Sequence, residues 1–248
     1  MSPDACEILP GALLIGDAHY SERRPALLSF LNAVESGRIA APQLILMGDI
    51  FDLLFGQIGV THEMNREAVA CLRRISERLP VLYLEGNHDY NLSALFPAAT
   101  VVPIAKHPYR CRCGNTPVFL AHGDIAQPPG YRIYTALIRH GAVLRFLGAV
   151  NRLSGGGVIA RLEAHLEKKN DCYRIPDFER RTGTRLASLN LPPESVCVEG
   201  HYHQGRSFET GGIRYFNLPA FACNRHYAIV TCDEGTFGLE ERAWEGEV

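Results

Sequence analysis

The 248-residue sequence lacks a strong excess of charge of either sign, an apolar run near membrane-spanning length, and a second cysteine pair at zinc-ribbon spacing. Its 25 basic and 27 acidic side chains leave a formal charge of -2, with a pI near 6.5. That balance excludes the broad electropositive footprint of a nucleic-acid binder. A helix that spans a bilayer needs roughly 20 consecutive apolar residues, and no run approaches that. Cys111 and Cys113 are separated by one residue and have no matching pair, so a β-hairpin accounts for them better than a zinc ribbon. Eight cysteines are present in all. A chain of this size buries a core without a disulfide framework, and no cleavable export segment precedes the first strand, so they are expected as reduced, cytosolic thiols. Repeats, low-complexity tracts and linkers are lacking as well. One domain over residues 1–248 is therefore expected, cytoplasmic and with no obligate protein partner implied.

Short apolar runs that end in polar, metal-competent residues recur throughout. Leu44, Ile45 and Leu46 are too few for a helix and read as a buried strand, followed by Met47, Gly48, Asp49, Ile50, Phe51 and Asp52. A buried strand ending in Gly and a carboxylate delivers that carboxylate to the sheet's carboxyl edge, where open α/β folds bind ligands. Helix capping explains one such Asp equally well, but four other runs end in the same way. Ala12–Ile15 leads to Asp17 and His19, Val81–Leu84 to Glu85, Gly86, Asn87, His88 and Asp89, Val118–Ala121 to His122, Gly123 and Asp124, and Val196–Glu199 to Gly200, His201, Tyr202 and His203. On an extended segment the spacing of two puts Asp17 with His19, and His201 with His203, on one side of the chain.

Between these strands, Pro25 to Glu35 and Glu63 to Arg78 have helical spacing, with Gly37 and Pro80 as stops. From Asp17 to Asp49 is 32 residues, from Asp49 to Asn87 is 38 and from Asn87 to His122 is 35, each about one βαβ unit. The step from His122 to His201 is 79 residues and carries extra material. Tyr131 to Leu153, Val158 to Lys169 and the stretch around Phe178 to Leu189 suggest a helical cap over the sheet edge, with Gly141 and Gly148 interrupting the first of them. After His203, Ile213 to Phe216 and Tyr227 to Thr231 suggest a second sheet that closes the domain.

The strand ends thus offer Asp17, His19, Asp49, Asn87, His122, His201 and His203. Two carboxylates, an amide and four imidazoles exceed the needs of one ion. They suit two divalent ions roughly 3.5–4 Å apart that share one carboxylate, for which Asp49, central in the series, is the choice.

The pattern D-x-H, G-D-x-x-D, G-N-H-D, a later His before Gly, and G-H-x-H resembles that of the calcineurin-like metallophosphoesterases. All five blocks occur in family order between residues 13 and 203. The resemblance implies an αββα sandwich of two mixed sheets flanked by helices. It also implies Asp17, His19, Asp49 and His203 on one metal and Asp49, Asn87, His122 and His201 on the other. His88 would face the scissile phosphate as acid or charge stabiliser, with Asp89 and Asp52 supporting the site by hydrogen bonds. The expected reaction is in-line attack of a metal-activated water on phosphorus. Manganese is the ion implied first, and iron or zinc fit the same donors. Some relatives with this fold are non-catalytic scaffolds, as in retromer, and these usually lose ligands that are all retained here.

Among branches of the family, the layout is most similar to the UDP-2,3-diacylglucosamine hydrolases of lipid A synthesis, where a helical insertion forms a lid over the acyl chains. Residues 125–194 would be that lid here. They carry apolar Leu137, Leu144, Phe146, Leu147 and Val150 beside Arg132, Arg139, Arg145 and Arg152. The partner implied is a lipid-nucleotide substrate, collected by peripheral contact with the cytoplasmic face of the inner membrane. The best-known branch has Arg where His88 stands, and His88 matches the general phosphoesterase pattern. A general phosphatase or phosphodiesterase is the alternative.

Overall fold

Strands buried on both faces set the architecture. Every residue of Leu13–Ile15, Leu44–Leu46, Val81–Leu84 and Val196–Glu199 is buried, which is why these runs are continuously apolar instead of alternating. The structure, a computed structural model, describes residues 6–125, 129–166, 168–233 and 235–246. In chain order the first half contains β1 (Cys6–Glu7), β2 (Leu13–Ile15), α1 (Ala26–Glu35), β3 (Leu44–Leu46), β4 (Leu54–Phe55), α2 (Gly59–Met64), α3 (Arg66–Ser76), β5 (Val81–Leu84), β6 (Asp89–Tyr90), β7 (Thr100–Val102), β8 (Tyr109–Cys113) and β9 (Thr116–Ala121). Helices α4 (Pro129–Arg139), α5 (Gly141–Leu153), α6 (Gly157–Leu166) and α7 (Phe178–Ala187) follow. The chain then returns through β10 (Val196–Glu199), β11 (Arg206–Thr210), β12 (Ile213–Asn217), α8 (Phe221–Asn224), β13 (His226–Asp233) and β14 (Thr236–Ala243).

Two six-stranded mixed sheets result, ordered β14-β13-β2-β3-β5-β7 and β1-β8-β9-β10-β12-β11, and β4 pairs with β6 at one side. The period of two in the strands decides what each residue covers. Leu13, Ile15, Leu44, Leu46, Val81 and Tyr83 pack with Phe30 and Leu31 of α1 and Ala68 and Leu72 of α3. The alternate residues Leu14, Ile45, Leu82 and Leu84 pack with Val118, Leu120, Val196 and Val198 of the other sheet. On that sheet's outer face, Cys197 and Tyr215 meet Phe178 and Leu186 of α7. The layers are helix, sheet, sheet and helix, as the resemblance implied.

Several expectations need correction. The segments near Ile213 and Tyr227 do not build one closing sheet: β12 joins β10 and β13 joins β2, so each extends a different sheet. The helix expected from Glu63 starts at Arg66, because Asn65 spends its side-chain amide on the carbonyls of Leu53 and Thr61 and breaks the run into α2 and α3. In the insertion the chain breaks at His140, whose ring accepts from Ala142 N, and α5 continues unbroken through Gly148. Gly148 is buried, and a Cβ there would meet the Gln57 carbonyl at 3.7 Å, an ordinary contact, so packing does not require glycine at this position. Residues 126–128 and 167 of the insertion, and the side chain of Arg132, lie outside the described residues.

The cysteines divide. Cys172 in the insertion and Cys223 in α8 form a disulfide across 51 residues, with Cα atoms 5.8 Å apart, which corrects the expectation that all thiols are reduced. Tertiary proximity brings them together, and no spacing in the sequence shows it. Cys6, Cys71, Cys111, Cys113, Cys197 and Cys232 are free. The hairpin reading of Cys111 and Cys113 holds, since both lie in β8 antiparallel to β9. Closing a loop of this length stabilises the fold by about 4 kcal/mol in the chain-entropy account. Dithiothreitol should therefore lower the urea midpoint of the wild-type protein and leave unchanged the lower midpoint of Cys172→Ser. Equal midpoints for oxidised wild type and Cys172→Ser would count against it.

Candidate metal centre

The two sheets bring their carboxyl edges together. Asp17 and His19 follow β2, Asp49 follows β3 and Asn87 follows β5 in one sheet; His122 follows β9, and His201 and His203 follow β10, in the other. The backbone there is not extended, which corrects the reading of the two spaced pairs. Asp17, His19, Asp49, His201 and His203 have φ of 51°, 45°, 50°, 60° and 58°. Left-handed backbone costs about 1–2 kcal/mol per residue, and such strain persists only where neighbours over-determine it. Here Asp17 N donates to Gly48 O and His19 N to Asp49 O, each at 3.0 Å, and His201 N reaches both carboxylate oxygens of Asp17 at 3.0 and 2.9 Å.

This folding groups the side chains into two clusters, Asp17 with His19 and His203, and Asp49 with His122 and His201. In the first, His203 Nε2 lies 3.1 Å from Asp17 Oδ1. His203 Nδ1 faces the Asp171 carbonyl and can only donate to it, so a neutral ring turns its Nε2 lone pair toward Asp17. His19 Nδ1 is held at 3.0 Å by Asp52 Oδ1, and its Nε2 is buried without a hydrogen-bond partner. In the second cluster, His122 Nδ1 donates to the Met47 carbonyl at 3.0 Å. Its Nε2 is surrounded by Asp49 Oδ2 at 3.3 Å, Asn87 Oδ1 at 3.2 Å and His201 Nδ1 at 3.2 Å. A third grouping, His19, Asp52 and His88, shares His19 with the first.

Both clusters draw positive charge. Burial alone would raise the Asp17 and Asp49 carboxyls, but the imidazoles of His203 and His122 hold them below the usual carboxylate range. Burial would lower His203, yet the Asp17 carboxylate lifts it to about 9, and Asp49 likewise lifts His122 well above its ordinary value. His201, buried beside His122, is pushed down to about 4. Converging carboxylate, amide and imidazole lone pairs, with ring orientations fixed by Asp52, Met47 O and Asp171 O, fit divalent cations. The orphaned His19 Nε2 fits the same reading.

The supporting residues have distinct tasks. Asp89, fully buried, accepts from the backbone N–H of Asp49 and Gly86, both at 2.9 Å, and of Ile50 at 2.6 Å, and from Tyr83 OH at 2.6 Å. Burial, followed by the Asp49 carboxylate, pushes it up to about 7. It ties together the two loops that carry Asp49 and Asn87. His88 is buried, its Nδ1 donates to Asp52 O at 2.9 Å, and its ring stands edge-on to His19 with centroids 4.9 Å apart. Burial holds His88 below its ordinary value, so the ring is neutral near pH 7 with its Nε2 lone pair available.

Sequence reasoning missed Arg24, Asp171 and Tyr83. Arg24 bridges toward Asp52 and Asp171, with Nη2 2.7 Å from Asp171 Oδ2. Arg139, in the sequence one of several basic residues of the insertion, places its guanidinium 3.3 Å from Asp124 Oδ2 and 5.4 Å from the centre of the Tyr90 ring. None of these stands in a recurring pattern, and only the docking of the insertion places Arg139 and Asp171 near the site.

A helix-flanked mixed α/β sandwich with this double cluster defines the class. The calcineurin-like phosphoesterase profile matches residues 12–205, and the chain belongs to that family. It is a metal-dependent hydrolase of phosphoric esters. Among relatives, the UDP-2,3-diacylglucosamine hydrolase of Pseudomonas fluorescens (strain SBW25) is 31% identical over 210 residues, which cover 77% of this chain and 78% of that one. The enzyme of that name from Shewanella pealeana is 23% identical over 197 residues, covering 77% and 82%. A dimetal phosphatase from Danio rerio shares the fold, with a TM-score of 0.50 and 14% identity over 94% of this chain and 96% of that one.

The loops leave no room for larger residues at their glycines. A Cβ at Gly86 would lie 2.1 Å from Asp49 Oδ1 and 2.4 Å from Asp49 N, and one at Gly48, whose φ is +86°, would lie 2.6 Å from His122 Nδ1. Gly86→Ala should displace Asp49 and destabilise the fold by about 1–3 kcal/mol, the usual cost of overpacking. Thermal unfolding with and without added manganese checks this. A wild-type midpoint and a wild-type shift on metal addition would contradict it.

Proposed function

We propose that the chain hydrolyses UDP-2,3-diacylglucosamine to UMP and 2,3-diacylglucosamine 1-phosphate. The observation that carries this reading is the apolar surface of the insertion beside a strongly polar site. Ile133, Leu137, Phe146 and Leu153 are 63%, 58%, 67% and 90% exposed, an arrangement that suits acyl chains. Helices α5 and α6 pack on the core through Leu144 and Ile159, which cluster with Leu53, Phe55 and Tyr90, and this supports reading the insertion as part of the same domain. No single described helix is long and apolar enough to cross a membrane. The exposed lid residues, with Arg145 and Arg152 beside them, suit peripheral contact with a bilayer surface, and the cytoplasmic face of the inner membrane is the location this substrate implies. The relatives of that name add support over most of the chain.

In this reading Asp17, His19, Asp49 and His203 hold one divalent ion and Asp49, Asn87, His122 and His201 the other, with manganese the first choice. Bound there, two divalent ions supply Lewis acidity and a water-derived hydroxide at neutral pH. The chain's own residues do the rest. His88, oriented by the Asp52 carbonyl, holds or passes on a proton at Nε2 near the scissile phosphate. Asp52 fixes the tautomer of His19, and Asp89 fixes the backbone of the Asp49 loop. The second reading, a general phosphatase or phosphodiesterase, is favoured by His88, which matches the general phosphoesterase pattern where the best-known lipid A branch has Arg.

Manganese-loaded protein should release UMP from UDP-2,3-diacylglucosamine in detergent faster than it cleaves bis(p-nitrophenyl) phosphate. His88→Ala should lower kcat by about 10²–10⁴-fold, the range for a positioned acid or base, at unchanged metal content. Brisk cleavage of the generic ester without UMP release would reject the lipid assignment. An unchanged kcat in metal-loaded His88→Ala would reduce His88 to packing.

A further inference from the structure

Glu199 ends β10 fully buried, two residues before His201, yet its carboxylate belongs to neither metal cluster. A buried carboxylate needs a partner. It finds Arg185 of α7, whose Nη1 donates to Glu199 Oε1 at 2.7 Å while Nη2 donates to Oε2, and Tyr215 OH donates to Oε2 at 2.7 Å. The same guanidinium lies 5.1 Å from the centre of the Tyr202 ring. Tyr202 separates His201 from His203 in the chain, and its hydroxyl donates to the carbonyl of Gly123, the residue after His122, at 2.9 Å. There the loops after β9 and β10 are in close contact: a Cβ at Gly123, whose φ is +131°, would lie 2.9 Å from His201 Cβ and 3.3 Å from Tyr202 Cε2.

His19, His122 and His203 are each oriented by an acceptor at Nδ1, but His201 is held differently. Its Nδ1 faces His122 Nε2 at 3.2 Å, and the Tyr202 ring stands edge-on against it with centroids 5.1 Å apart. A buried ion pair is weak evidence for stability, because apolar residues of similar volume often serve as well. A flat guanidinium does more here, since it fixes an aromatic ring by stacking while it pairs with a carboxylate.

We propose that Arg185 and Tyr202 are positioning residues for the second metal, holding His201 against His122. This rests on the two-ion reading of the site above. Glu199 holds Arg185, Arg185 holds the Tyr202 ring, and the hydroxyl joins the loop after β10 to the loop after β9, so that α7 of the insertion supports the centre from behind. His203, beyond Tyr202, has its own anchor at the Asp171 carbonyl, which leaves the first cluster less dependent on this chain of contacts. The bond from Gly200 N to His122 O at 2.9 Å keeps the two strand ends together when the hydroxyl is removed.

The test is equilibrium dialysis of the full chain against graded manganese, with thermal unfolding in parallel, for wild type, Tyr202→Phe and Arg185→Lys. Tyr202→Phe should need about 10-fold more manganese to fill one of its two sites, the lower end of the usual cost of losing a group that orients a metal ligand, and less than about threefold more for the other. Arg185→Lys keeps the Glu199 charge paired but lacks the planar fork, and should weaken the same site. In Asn87→Ala, which removes a donor from the second cluster alone, the remaining ion should not respond to added Tyr202→Phe. Two ions held as tightly by Tyr202→Phe as by the wild type, equal weakening of both, a response in the Asn87→Ala background, or a lowered unfolding midpoint with unchanged manganese binding would overturn the proposal and leave the two-ion reading intact. Fewer than two ions on the wild type would overturn both.

Discussion

The buried carboxylate of Asp89 is the contact on which the centre depends. It gathers backbone N–H groups from Asp49, Ile50 and Gly86 and the hydroxyl of Tyr83, all within 2.6 to 2.9 Å. A buried carboxylate without partners would be strongly unfavourable, and this one is satisfied only if the loops after β3 and β5 take their observed positions. Asp49 then lies in left-handed backbone, with its Oδ1 accepting from His88 N at 2.8 Å and its Oδ2 turned to His122. The strain of the site is thus borne by hydrogen bonds behind it, and the side chains in front keep their lone pairs free.

The same division explains the ring orientations. His19, His122 and His203 each spend Nδ1 on an acceptor away from the centre, namely Asp52, Met47 O and Asp171 O. Each is left with Nε2 facing inward. Two of these acceptors belong to the core loops, whereas Asp171 belongs to the insertion, so part of the site is completed by the segment that also shapes access to it.

Much of this was legible in the sequence because of how the strands are buried. Leu44–Leu46, Val81–Leu84 and Val196–Glu199 run between two covered faces, so composition alone marks their ends, and their ends carry the polar residues. The cap helix expected over Val158 to Lys169 is found at Gly157–Leu166, and Ile159, Leu162 and Leu166, at helical spacing, pack in one cluster on the core. Other features rest on contacts between residues far apart in the chain. The left-handed turns at Asp17, His19, His201 and His203 are set by bonds to a neighbouring loop, and the Cys172–Cys223 link and Arg24 depend on where the insertion lands. Helix α7 shows the limit of reading by position: it lies within the inserted stretch, yet Phe178 and Leu186 place it on the sandwich's outer face.

We propose that Asp49, in the cluster with His122 and His201, also serves the neighbouring cluster of Asp17, His19 and His203, so that the two hold a coupled pair of divalent ions. Electron paramagnetic resonance of the manganese-loaded protein tests it most directly. The wild type should give the exchange-coupled spectrum of two manganese ions per chain, replaced in Asp49→Ala by the spectrum of isolated manganese at lower occupancy. Two magnetically independent ions in the wild type, or a coupled pair that persists in Asp49→Ala, would contradict it.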